Sequence, residues 1–63
     1  MPENGGEYEG RGRSYELAVE DAAGNAKAEG VPLETPLEVV STTVILSDNS
    51  HISDYIVILR PPG

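Results

Sequence analysis

Few side chains in this sequence carry reactive or ligand-binding groups, and their spacing limits what they can do. His51 is the single histidine and stands in a polar cluster with Asp48, Ser50 and Asp54. An imidazole so placed can act as a general base or as one ligand of an exposed metal. The plainer expectation is a solvated turn histidine bonded to a nearby carboxylate. No Gly-x-Ser-x-Gly elbow accompanies it, and one turn histidine does not make a triad. A second group is Gly10-Arg11-Gly12-Arg13-Ser14, directly ahead of a helix-like segment. Free N–H groups, the helix dipole and two guanidinium forks would converge on an anion there. Arg11, Arg13 and Ser14 are therefore the candidate anion-binding residues. The stretch lacks the Lys-Ser/Thr ending of a P-loop and the full dinucleotide glycine pattern, so a flexible lead-in whose arginines pair with acids is the competing expectation. Glu16 and Glu20 lie one turn apart beside Asp21. Holding Ca²⁺ would take an ordered ligand loop, which is missing, and a solvated acidic face is expected. No catalytic, cofactor-binding or metal-binding residue is assigned, no cofactor is expected, and the chain reads as a non-enzyme.

Composition narrows the partners. Eleven acids against one Lys and three Arg give a net charge of −7 at pH 7. Phosphate backbones are bound by Lys and Arg clusters, so nucleic acid is excluded as an expected partner. The same charge repels anionic membrane surfaces, and no stretch approaches the roughly 18 apolar residues of a span. The opening Met-Pro-Glu-Asn-Gly-Gly lacks the basic and apolar regions of a signal peptide, which makes a cytoplasmic location the default expectation. A 63-residue chain has little interior. Small domains compensate with disulfides, metals or oligomers. There is no Cys, so partner chains are the expected source of further burial.

The elements that position these groups follow from periodicity. Residues 1–12, with Gly5, Gly6, Gly10 and Gly12, read as a flexible tail with a short extended piece around Tyr8. Tyr15, Ala18, Val19, Ala22, Ala23 and Ala26 fall on one helical stripe, which predicts a helix near 14–28. Ser14 suits its N-cap, Glu16 and Lys27 complement its dipole, and Gly30 stops it. Gly24-Asn25 is its weak point, where the helix would end early. Tyr15, Leu17 and Val19 also alternate as a strand would. The phrase YELAVEDAAGN resembles a strand and turn of bacterial immunoglobulin-like domains, but those sandwiches need about 100 residues. Residues 31–36 form an extended connector. Two strands, near 37–46 and 52–60, are separated by the turn cluster Ser47-Asp48-Asn49-Ser50-His51. Residues 61–63 form a C-terminal tail.

The fold class expected is α+β: residues 13–60 as a single domain, one helix packed on an antiparallel β-hairpin, the first strand short or missing. Strict alternation puts Tyr55, Val57 and Leu59 on one face of the hairpin and Ile52, Ile56 and Ile58 on the other. One face takes the helix. The other leaves large aliphatic side chains exposed, which predicts a homo-oligomer with Ile52, Ile56 and Ile58 at the interface.

The order Gly-Arg-Gly-Arg-Ser-Tyr-Glu-Leu-Ala-Val-Glu-Asp-Ala, then Leu-Glu-Val-Val-Ser, then Asp-Tyr-Ile-Val-Ile-Leu resembles the dodecins. These are very small proteins with a strand, a helix and a long hairpin, assembled into hollow flavin-storing dodecamers. Residues 14–22 match the family's Ser-aromatic-Glu-x-Ala-x-x-x-Ala helix start, and residues 37–40 match its Phe-Glu-Val-Val strand. The resemblance implies a dodecin-like shell that binds or stores an unidentified small molecule. It does not imply flavin. The family's flavin-sandwiching tryptophan is replaced by Pro36, and its flavin-contacting glutamine by Ile56. Asn49, Ile52, Ser53 and Tyr55 fit an Asn-x-x-Ile-Ser-x-Tyr turn of short dodecin-like proteins without known activity. The alternative expectation is an adaptor or subunit whose hairpin edge adds to another protein's sheet.

Overall fold

The computed structural model describes residues 6–48 and 51–62. The expectations for residues 1–5, Asn49, Ser50 and Gly63 lie outside the described residues. Among the described residues the fold is a small α+β unit of four elements: β1 (Tyr8–Gly12), α1 (Tyr15–Ala28), β2 (Glu38–Leu46) and β3 (Ile52–Arg60). The three strands form one antiparallel sheet in the order β1-β3-β2, so the last strand is the central one.

The residues from Tyr8 to Gly12, expected within a tail, are a full strand. Tyr8 pairs with Leu59, Gly10 with Val57 and Gly12 with Tyr55. Gly10 and Gly12 are where the helix comes down on the sheet. A Cβ at Gly10 would run into the backbone of Ala18 and Ala22, and one at Gly12 would lie 2.7 Å from the Ala18 nitrogen. Helix and strand meet backbone to backbone, with alanines on one side and glycines on the other.

Helix α1 begins where expected. The Ser14 hydroxyl accepts from the Leu17 N–H at 3.2 Å, satisfying one donor of the first turn. Gly24 and Asn25 do not stop the helix, which runs on to Ala28. Its end is closed by Gly30 at φ 100°, with Val31 N–H donating to the Ala26 carbonyl and Gly30 N–H to that of Lys27. That paired arrangement satisfies two carbonyls the last turn leaves open. Ala18, Ala22 and Ala26 are buried, at a spacing of four, and Val57 and Leu59 complete the core. Tyr15 and Ala23, part of the expected stripe, stay exposed.

The pairing of β2 with β3 breaks strict alternation twice. Val39 faces Leu59 and Ser41 faces Ile58, so Val40 is an extra residue in β2. Ile45 faces Asp54 and Leu46 faces Ile52, so Ser53 is an extra residue in β3. Ile52 is thereby put out of phase with Ile56 and Ile58, against the expectation of one continuous isoleucine face. The helix packs on β1 and β3 and does not reach β2. The expectation that it covers one whole hairpin face is corrected, because β1 takes the place beside β3 that would have brought β2 under the helix.

Candidate functional site

Each sequence-derived candidate has a definite place. Arg11 does not aim at the helix start. Its guanidinium meets the Asp54 carboxylate at 3.0 Å, and its backbone N–H donates to Asp21 at 2.9 Å. Ser14 spends its hydroxyl on the helix cap. Arg13 is exposed, and the structure does not bring it together with the other two into an anion cradle. The glycines of this stretch answer the close approach of α1, a packing requirement rather than a phosphate loop. His51 lies against Asp48, Nδ1 to Oδ1 at 3.0 Å and backbone N–H to the same oxygen at 3.1 Å. Both side chains are exposed, so this contact is a turn lock in water. Among the described residues no three His, Asp or Glu side chains cluster to hold a metal.

A hollow of about 290 Å³ lies between the connector and the end of the helix, lined by Ala23, Ala26, Lys27, Val31, Leu33 and Leu37. The connector turns sharply there: Thr35 N–H donates to the Pro32 carbonyl at 3.3 Å, and Glu34 sits at φ 67°. This turn departs from the extended connector expected for residues 31–36. The hollow needs the fold-back that the turn provides.

The larger feature is β2. Six of its nine residues, in EVVSTTVIL, are β-branched, which suits a pleated, half-buried surface. Yet Ile45 alone is half-buried and the rest are exposed. Val39, Val40, Val44 and Leu46 keep between 40% and 62% of their surface in water. The expected interface isoleucines are better covered: Ile56 and Ile58 are half-buried, while Ile52 is exposed. On that face Arg11–Asp54 and Glu38–Arg60 pairs, at 3.0 and 3.2 Å, bracket Ile56 and Ile58. The apolar surface the sequence placed on β3 therefore lies mainly on β2.

The two sheet edges differ. On β1, the outward N–H of Arg11 goes to Asp21, and the outward carbonyl of Glu9 accepts from the Asn25 amide at 2.6 Å. Asp21 and Asn25, four apart on α1, close that edge as a neighbouring strand would. Glu9 and Arg11 face outward, so Tyr8, Gly10 and Gly12 exchange bonds with Leu59, Val57 and Tyr55. Alternation then turns Asp54, Ile56 and Ile58 toward β2, where they meet Ile45, Thr43 and Ser41. Thr42 and Val44 are left with their peptide groups pointing away from the sheet. Among the described residues the outer edge of β2 is open, and from residue 39 to 46 it carries no charge.

No protein-family model, curated protein or solved structure matches the chain. Its reading therefore rests on its own surface. Among the described residues no helix is long and apolar enough to cross a membrane.

Proposed function

We propose that this protein is a non-enzymatic, self-assembling small domain of the dodecin type, whose copies form a shell that binds or stores a small ligand. One observation carries the reading: β2 exposes both faces and its edge in a body whose helix cannot reach it. Among the described residues the buried core holds two large side chains, Val57 and Leu59, beside three alanines. Burying a Val or Leu fully is worth about 1.5–3 kcal/mol, so that core is thin for a chain that must order itself. Finishing the burial of Val39, Val40, Val44 and Leu46 against copies adds about 1 kcal/mol apiece, since each is already roughly half covered. The succession of strand, helix and long hairpin supports the dodecin resemblance.

Flavin is not carried over with it. There is no Trp in the chain, and the aliphatic Ile56 offers no hydrogen bond to an isoalloxazine edge. The hollow beside Val31 and Leu37 is the place for a small, mainly apolar ligand. The open β2 edge also favours a second reading, an adaptor that adds its edge to another protein's sheet. Light scattering coupled to an ultraviolet-visible spectrum separates the readings. Assemblies of several chains at micromolar concentration are expected. A strictly monomeric species removes the assembly, and a partner then recovered with the monomer establishes the adaptor.

A further inference from the structure

We propose that two copies of this chain pair antiparallel along β2, about a two-fold axis at Thr43, joining their sheets into one of six strands. This rests on the self-assembly reading above and specifies which surface carries it. Three observations point to a second copy as the occupant. First, the β1 edge is already closed by Asp21 and Asn25, whereas β2 turns the peptide groups of Thr42 and Val44 outward. Second, in a chain of net charge −7, residues 39–46 carry no charge. A like-charged copy can approach along that strip without bringing carboxylates together. The acids at its two ends are engaged, Glu38 with Arg60 and Asp48 with His51. Third, the strip is self-complementary. Its regular part, residues 41–45, lies between the two irregularities and is centred on Thr43. A two-fold interface requires that residue i meet j while j meets i.

The register follows. With Thr43 opposite itself, Thr42 of each copy faces Val44 of the other, and these outward-directed residues exchange the new hydrogen bonds. Ser41 then faces Ile45 of the second copy. Both helices lie on the same side of the joined sheet, so Val44 of each copy rests beside the methyl of Thr42 from the other. Thr43 occupies a non-hydrogen-bonded position, where facing Cα atoms approach to about 4.5 Å. That separation is within the range a disulfide spans.

The chain contains no Cys, so single-cysteine variants report directly. Thr43→Cys is expected to form a disulfide-linked dimer under mild oxidation, seen on a non-reducing gel, with most of the protein in the dimer band. Ser41→Cys, equally exposed but opposite Ile45 in this register, is expected to stay largely uncrosslinked. Val44→Lys places a charge on the joined edge and is expected to lower the solution mass, while circular dichroism remains that of the parent. If the parent assembles but Thr43→Cys does not crosslink, or Ser41→Cys does so equally well, this pairing is wrong and self-assembly stands. A Val44→Lys mass equal to the parent's has the same meaning. A monomeric parent overturns the assembly and this pairing together.

Discussion

Changing Gly10 to alanine should cost this protein most of its stability, whereas the same change at Gly24 should strengthen it. At Gly10 the added carbon meets backbone atoms of Ala18 and Ala22, which cannot rotate aside as a side chain would. The helix has to lift from β1, and Val57, fully buried on β3 beside Gly10 and packed with Ala18 and Ala22, loses contact as it does. Overpacking a tight core costs about 1–3 kcal/mol, and a backbone obstruction belongs at the upper end. Domains of this size rarely hold more than about 3–5 kcal/mol in all. Gly24 lies within α1 with nothing inside 4 Å of its new Cβ. Alanine there gains about 0.5–1 kcal/mol of helix propensity. In a domain of this length about 1 kcal/mol moves the melting point by roughly 4–8 °C. Thermal melts followed by circular dichroism, at one fixed protein concentration, should show Gly24→Ala above the parent. Gly10→Ala should melt at least 10 °C lower, about 2 kcal/mol on the same scale, or fail to show a transition. A Gly10→Ala protein that melts with the parent would mean the helix does not sit on β1 as described, and the account of the sheet order would fall with it.

Two further predictions concern smaller features. Asp21→Ala removes the acceptor for the Arg11 N–H; a loss of about 1 kcal/mol is expected, with faster amide exchange at Arg11 than in the parent. Unchanged exchange there would show that the β1 edge is protected by something else. Glu34→Gly relieves a left-handed conformation that costs a non-glycine residue about 1 kcal/mol. It should raise the denaturant midpoint with little change in slope, and a lowered midpoint would contradict that turn geometry.

The helix and the two long strands were legible because each has a strong local signal. Ser14, the alanine period and Gly30 mark the helix, and the β-branched runs mark β2 and β3. Strand β1 was hidden by its own packing. Two of its residues are glycine because the helix backbone needs their space, and the intervening Glu9 and Arg11 are polar, so no apolar alternation survives to be read. The same glycines, alternating with Arg11 and Arg13, imitated an anion loop. Asp21 and Asn25 looked like a solvated acid and a weak helix position. Their spacing of four was the available signal, but it acquires meaning only once β1 is known to lie beside them. Val40 follows another valine, so nothing local marks it as the extra residue, and the adjacent polar pair Ser53-Asp54 reads as the end of a turn rather than as an irregularity inside a strand. Which strand the helix leaves uncovered depends on pairings between distant parts of the chain, such as Tyr8 with Leu59, and no local pattern encodes those.

The central place of β3 also bears on how the chain comes to be folded. As the polypeptide leaves the ribosome, β1, α1 and β2 emerge before the strand that joins them. Until β3 follows, α1 has only the glycines of β1 to rest on, and β2 has no neighbour at all. The contacts that close the sheet span nearly the whole chain, and such long-range pairings are slow to form. During that interval the uncharged stretch from residue 39 to 46 is an unpaired strand, the kind of segment that exposes a folding chain to aggregation. The order of elements thus leaves the most strand-prone stretch of the sequence without its partner until the last strand arrives.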